Sequence, residues 1–112
     1  MIKVFTIPEF ERSLKKLSKK YPSLKNEYAE FVDKTENKGA QGRALGNGFY
    51  KARLSVKSKG KGKSGGLRII SHEIIIQQID EKHIRLAAIY DKGEISNIDR
   101  KYLDSLIDQY KK

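Results

Sequence analysis

The segment at residues 67–79, LRIISHEIIIQQI, restricts most strongly the folds that this chain can adopt. It is long, rich in isoleucine and apolar on both faces, which is typical of a strand in the middle of a sheet. Candidate neighbours lie on either side of it. Apolar and polar side chains alternate in residues 49–59, and a second apolar run at residues 83–90 follows a plausible turn at residues 80–82. These segments predict an antiparallel meander.

Two prolines delimit a pair of helices before the meander. Pro8 suits the first turn of a helix, and apolar residues recur every three or four positions over residues 10–21. Pro22 ends this helix, and Ser23 is a candidate cap for a second one with its own apolar stripe. The sequence therefore predicts a helical hairpin.

The remaining segments complete the predicted order of elements. Residues 2–7 form a short β-branched and aromatic run, residues 39–48 a glycine-rich connection, and residues 98–110 a helical stripe. We expect one α+β domain over residues 1–112, with the order β-α-α-β-β-β-α and the helices packed on one side of the sheet.

Composition excludes several classes of function. The chain has no cysteine, so disulfides, thiolate metal sites and cysteine nucleophiles are excluded, and no cluster of histidine and carboxylate suggests a metal or cofactor. No apolar run is long enough to cross a membrane, and the first residues do not resemble a signal peptide. We expect a cytoplasmic protein that uses no metal ion.

The basic residues are concentrated in the centre of the chain. Residues 37–72 contain no Asp or Glu, and their nine Lys and Arg residues account for nearly all of the net charge of +10. Such a concentration favours a polyanion as the partner: a nucleic acid, an anionic membrane surface or an acidic protein. The residues predicted to bind this polyanion are Lys38, Arg43, Lys51, Arg53, Lys57 and His72.

The segment at residues 58–68 suggests a more specific chemistry. Lysines and glycines alternate there, so the backbone can approach a ligand that the ammonium groups surround, but the spacing does not match a nucleotide-binding P-loop. A lysine among other cations has a lowered pKa and can exchange protons when a ribose 2′-hydroxyl attacks its neighbouring phosphodiester. Lys59, Lys61 and Lys63 are candidates for this role, and Arg68 is the candidate phosphate clamp. The same lysines can equally bind phosphate without catalysis.

Histidine and tyrosine supply further candidates near the basic segment. His72 lies on the same strand face as Arg68, where it could transfer a proton or be purely structural. Tyr50 and Tyr90 lie on strands that border the basic segment, and either could stack on a base.

Three motifs together resemble the RelE/ParE superfamily of toxins, most closely its HigB-like, RelE-type branch. They are LGNGFYKARL at residues 45–54, SKGKGKSGGLRII at residues 58–70 and LAAIYDKGEISNI at residues 86–98. The resemblance covers essentially the whole chain. It implies a fold like that of microbial ribonucleases and a toxin that enters the ribosomal A site and cuts mRNA without metal.

The resemblance also implies roles for individual residues. Its basic loop matches Lys57, Lys59, Lys61 and Lys63, its phosphate-binding arginine matches Arg68, and the basic residue after the last strand matches Lys92, which follows Tyr90 closely. Gly93 stands where RelE proteins have a second arginine. Asp99 lies near the position of a tyrosine that those proteins carry a little further on. Either Tyr90 substitutes for the missing group, or one lysine serves as both acid and base.

Partners follow from the resemblance as well. It implies a neighbouring antitoxin that binds DNA and represses the shared operon, and it implies the 70S ribosome with its mRNA as the target. The alternative is a non-catalytic toxin that blocks the ribosome or a topoisomerase, as in the ParE branch. Proteins of the ParE branch generally lack such a group of basic catalytic residues.

Overall fold

The computed structural model of the chain describes residues 1–59, 66–94 and 98–110, with side chains through residue 108. The helices are α1 (Pro8–Lys20), α2 (Leu24–Lys38) and α3 (Arg100–Tyr110). The strands are β1 (Ile2–Thr6), β2 (Arg43–Gly46), β3 (Phe49–Leu54), β4 (Leu67–Ile76) and β5 (Glu81–Asp91). None of the described helices has the length and apolar character needed to cross a membrane.

The five strands form one mixed sheet in the order β1-β5-β4-β3-β2. The predicted meander is confirmed, because β3, β4 and β5 pair antiparallel in sequence, and β4 is the middle strand. The predicted first strand joins this meander in parallel, with Ile2 opposite Lys82 and Thr6 opposite Leu86. The described part of the chain is thus α+β, with three α-helices and a sheet that is not purely antiparallel.

The glycine-rich connection at residues 39–48 contains a strand that the sequence analysis missed. β2 pairs antiparallel with β3, so the order is β-α-α-β-β-β-β-α. Gly42 has a φ of +95°, and a Cβ there would collide with the carbonyl oxygen of Lys51. Glycine at position 42 therefore lets β2 approach β3 closely, which a residue with a side chain could not do.

The predicted stripes of α1 and α2 form the larger part of the core. Phe10, Leu17, Leu24 and Phe31 are buried in one cluster with alternate residues of β3, β4 and β5. Ser23 occupies the predicted cap position, but its hydroxyl hydrogen-bonds the Glu27 carboxylate and makes no cap bond to the helix backbone.

α3 contacts both clusters of the core. Leu106 joins the cluster of α1 and α2, whereas Leu103 and Ile107 pack with Phe49 and Ile70 in a second cluster. Ile69 belongs to the cluster of α1 and α2, and Ile70 belongs to the second cluster. These two residues point to opposite faces of the sheet, because side chains alternate along a strand. The expectation that all helices lie on one side is therefore wrong for α3.

Candidate active site

The alternation of three strands places the basic residues of the sequence on one face of the sheet. Arg53 lies opposite Arg68, and Arg68 lies opposite Tyr90. Lys51 lies opposite Ile70 in the next row on the same face. Residues that lie opposite each other in neighbouring strands share a face, so these rows form one surface on the side away from α1 and α2.

Two further elements complete a cleft over this surface. β2 places Arg43 opposite Lys51, and the turn after β5 contributes Lys92. The cleft has a volume of about 460 Å³. It is lined by Gly42, Arg43, Lys51, Arg53, Arg68, Tyr90 and Lys92. Five of these residues are cationic, and none of the described residues that line the cleft is acidic.

Arg68 is the most unusual of these cations. It is only 4% exposed, and its Nη1 donates a hydrogen bond to the carbonyl oxygen of Leu67 over 3.2 Å. Across the described ranges, no carboxylate forms an ion pair with it. A buried charge without a counter-ion is costly, and a bound anion would relieve that cost. The cleft is therefore suited to an anion that presents its charge to a planar guanidinium, such as a phosphate.

The pKa values of two other residues in the cleft are shifted in opposite directions. Burial, together with the charges of Arg43, Arg68 and Lys92, lowers the pKa of Lys51. Burial raises the pKa of Tyr90, and the charge of Arg68 opposes this only in part. Lys51 thus gives up its proton more readily than an ordinary lysine, and Tyr90 keeps its proton more firmly than an ordinary tyrosine.

The cleft brings together only part of the predicted site. Arg43, Lys51, Arg53, Arg68, Tyr90 and Lys92 line it. Three of the residues predicted to bind the polyanion do not: Lys38 is exposed at the end of α2, Lys57 is exposed in a short 3₁₀ turn, and His72 contacts Phe49 and the Asn47 carbonyl. Lys61 and Lys63 lie outside the described residues. Tyr50 is on the opposite face of the sheet, so Tyr90 is the tyrosine of the cleft.

Lys59, a predicted catalytic residue, is instead a partner of a buried carboxylate. Its Nζ lies 2.7 Å from Oδ2 of Asp91, and the Tyr21 hydroxyl donates to the same oxygen over 2.8 Å. The hydrogen bond to Asp91 is the main cause that raises the pKa of Lys59, despite its burial. Lys59 therefore holds its proton more firmly than an ordinary lysine, contrary to the lowering expected for it, whereas the pKa of Lys51 on β3 is lowered.

Asp91 is expected to make stability depend on acidity. Burial raises its pKa, but hydrogen bonds from Lys59, the Gly93 amide and Tyr21 outweigh burial and lower the pKa from 3.8 to about 2. A pKa that is lower in the folded state gives a stabilisation that is complete above the unfolded-state value and is lost as the pH falls towards 2. It amounts to about 2 kcal/mol.

Urea unfolding of the wild type and of Asp91→Asn checks this expectation. The difference in the free energy of unfolding between them should shrink as the pH is lowered from 6 to 2.5. An equal pH dependence in the two proteins would show that the carboxylate contributes nothing.

Two features of the site were missed at the sequence level. Asp91 directly follows Tyr90, and its acidic side chain next to a candidate catalytic residue was a usable signal. Gly42 gave a weaker signal, because glycines are common throughout residues 39–48. No group of three or more metal-binding side chains occurs in the described parts of the chain.

Comparison of the chain with protein-family models finds no match, and comparison with curated proteins finds no significantly similar sequence. We therefore infer the function of the cleft from its own residues and from the motifs in the sequence.

Proposed function

We propose that this chain is the toxin of a toxin–antitoxin pair, a ribosome-dependent endoribonuclease that cuts mRNA in the A site and so inhibits translation. One observation carries the proposal. Arg68 is a buried guanidinium without an ion-pair partner among the described residues, and it lies in a cleft of five cations beside Tyr90. This arrangement suits a phosphodiester whose negative charge increases in the transition state.

The first step of the proposed reaction is the attack of a ribose 2′-hydroxyl on the adjacent phosphorus. Lys51 in its neutral form accepts the hydroxyl proton while the new O2′–P bond forms. The lowered pKa of Lys51 makes this neutral form accessible. Arg68 and the cations beside it stabilise the phosphorane-like transition state, and Arg68 can donate two parallel hydrogen bonds to the phosphate oxygens.

The second event is the departure of the 5′-oxygen as its bond to phosphorus breaks. This oxygen needs a proton, and Tyr90 is the proposed donor because burial keeps its hydroxyl protonated. The products are a 2′,3′-cyclic phosphate and a free 5′-hydroxyl. All protons and bonds are then accounted for by residues of the cleft, with no metal ion or cofactor in any step.

The choice of RNA as the substrate rests on this chemistry and on the resemblance to RelE-type toxins. Only RNA carries the 2′-hydroxyl that the proposed reaction consumes. The motifs at residues 45–54 and 86–98 contribute Lys51, Arg53, Tyr90 and Lys92 to the cleft. The parts of the chain that carry the resemblance thus include most of the residues that meet around Arg68.

Induction of the chain in growing cells tests the proposal. We expect growth to stop and primer extension on a translated message to show new 5′ ends within codons. A message with a disabled start codon serves as the control, because cleavage that depends on the ribosome should then disappear. Growth arrest without new 5′ ends would instead favour a toxin that only blocks the ribosome or a topoisomerase.

Chelation of metal ions is expected to leave cleavage unaffected. Ribosomes and the chain are assembled first, and EDTA is added at a level that leaves the ribosomes whole by sedimentation. The cleavage rate should stay within about twofold of the untreated rate, because the proposed proton transfers and charge stabilisation use side chains alone. Restoration of a lost rate by one particular divalent ion would contradict this mechanism.

We further propose that an antitoxin encoded by the neighbouring gene binds this chain. An acidic segment lying across the cleft would neutralise its five cations, and electrostatic attraction would make its capture fast. The RelE-type resemblance adds that the antitoxin binds DNA and represses the operon. Co-expression with the neighbouring reading frame should restore growth and yield a complex. If neither happens, this part of the proposal is wrong.

A further inference from the structure

A buried polar network lies on the side of the sheet opposite the cleft. Asp91 is at its centre, and its side chain is 7% exposed, compared with 14% for Lys59. Besides the bonds from Lys59 and Tyr21, its Oδ1 accepts a hydrogen bond from the Gly93 amide over 2.9 Å. The Lys59 ammonium also lies 4.9 Å from the centre of the Tyr21 ring. All polar contacts of the carboxylate are thus made inside the protein.

The network connects directly to the cleft through the chain. Asp91 is the last residue of β5, between Tyr90 and Lys92, which both line the cleft. Its carbonyl accepts a hydrogen bond from the Glu94 amide over 2.9 Å, so backbone and side chain of Asp91 together fix the turn that carries Lys92. Asp91 also lies opposite Leu67, the residue that precedes Arg68.

The network also anchors the beginning of the segment at residues 58–68, in which lysines and glycines alternate and which we call the glycine–lysine loop. Lys59 ends a short turn whose other residues are held at the junction of α1 and α2. The Lys57 amide donates to Glu27 over 2.8 Å, and the Ser58 amide donates to the Ser23 hydroxyl over 3.0 Å. With Lys59 bonded to Asp91, each of the three residues of the turn has a fixed partner.

Stability alone is a weak explanation for this arrangement. A buried ion pair contributes little compared with well-packed apolar side chains of similar size, since removing two charges from water is costly. What the pair provides is a fixed geometry, because the carboxylate accepts three hydrogen bonds, from Tyr21, Lys59 and the Gly93 amide, and these allow one arrangement of the segments that carry them.

We propose that Asp91 is a positioning residue, which holds Lys92 in the cleft and fixes the start of the glycine–lysine loop through Lys59. Asp91 touches no substrate. It acts through the turn that carries Lys92 and through the 3₁₀ turn at residues 57–59. The kinetic part of this inference rests on the proposed ribonuclease function, whereas its structural part does not.

The test uses two variants of the network and a matched control on the same strand. Asp91→Asn keeps the shape of the side chain but releases Lys59. The double variant with Asp91→Asn and Lys59→Met also removes the ammonium that would otherwise be buried without a partner. Glu81→Gln is the control, because Glu81 begins β5 and pairs with Lys3 over 3.3 Å at the end of the strand far from the cleft.

The first measurement separates kcat from KM for mRNA cleavage on ribosomes. We expect the double variant to stay folded, with a melting temperature no more than about 15 °C below that of the wild type, and its kcat to fall about tenfold or more with KM changed less than twofold. Glu81→Gln should keep both constants. A double variant that is stable and retains the wild-type kcat would overturn the proposal, because the network would then be structural only.

The second measurement does not depend on catalysis. Inorganic phosphate is titrated into the labelled protein, and NMR follows the Arg68 guanidinium and the Lys92 amide. In Asp91→Asn and in the double variant the response of Arg68 should persist, since β4 positions it, while that of Lys92 is lost. A Lys92 response that survives in these variants, or is absent from the wild type, overturns the proposal. If the wild type cuts no RNA, the proposed function is wrong. The phosphate titration alone then tests whether Asp91 positions Lys92.

Discussion

Substitution of Arg68 by alanine is expected to lower the rate of mRNA cleavage by about 10²- to 10³-fold, the usual loss when one donor to a developing oxyanion is removed. Arg68 lies within the cleft, buried, with Tyr90 opposite it in the sheet. In the proposed reaction its guanidinium meets the scissile phosphate, whereas we expect binding to the ribosome to depend on many exposed cations. The affinity for the ribosome should fall by less than about tenfold, because only one phosphate contact is lost.

Two further variants make this result specific. Arg68→Lys keeps the charge but loses the planar guanidinium, which can donate two parallel hydrogen bonds. We expect it to recover only a small part of the rate. Arg12→Ala removes an exposed arginine on α1 and should leave the rate unchanged. Rates are measured with saturating ribosomes so that binding does not limit them. A parallel loss of cleavage and affinity in Arg68→Ala would instead indicate a protein that acts by occupancy.

Local periodicity explains why much of the fold could be predicted. The stripes of α1 and α2 and the alternation in β3 are properties of short segments, and the described side chains at Phe10, Leu17, Leu24 and Phe31 are buried as expected. The isoleucine-rich segment pairs on both sides over its first half only. β3 begins at Phe49, opposite His72, so Ile75 has no partner in β3 and is 61% exposed.

The errors concern elements whose placement depends on distant residues. β2 has four residues, and glycines with positive φ flank or end it, so it lacks a pattern that identifies a strand. The parallel pairing of β1 with β5 depends on contacts across most of the chain. The position of α3 follows from an apolar row around Phe49 and Ile70 that α3 covers, which the sequence of α3 does not reveal.

The site could be predicted to a similar extent. Lys51 and Arg53 could be placed on one strand face from the alternation of residues 49–59, and Arg68 at the start of the isoleucine-rich strand. The absence of Asp and Glu from residues 37–72 indicated that these cations share a role. The lowered lysine pKa was assigned to the glycine–lysine loop because its lysines are adjacent in sequence. In the described part of that loop Lys59 is paired with a carboxylate 32 residues away, a contact that no local pattern predicts.

Lys51 is the residue whose substitution should affect the chemical step most, by about 10²- to 10⁴-fold in kcat, if it is the general base. Lys51→Met removes the amine and keeps the aliphatic stem. Lys51→Arg keeps the positive charge but cannot give up a proton near neutral pH. Both variants should be slow. Lys25→Met, which removes an exposed lysine on α2, is the control that should retain the wild-type rate.

The pH dependence of cleavage distinguishes a base from a binding residue. Lys51 must be neutral to accept a proton, so the wild-type kcat should rise with pH and level off above its pKa, which burial and nearby cations hold below the ordinary value of 10.5. Arg43 is the largest of the charged causes. Arg43→Gln should therefore move the rise to higher pH, because the neutral form of Lys51 becomes less favourable when a neighbouring cation is removed. In Lys51→Arg the rise should disappear; a rise that persists there would assign the base to another residue of the cleft.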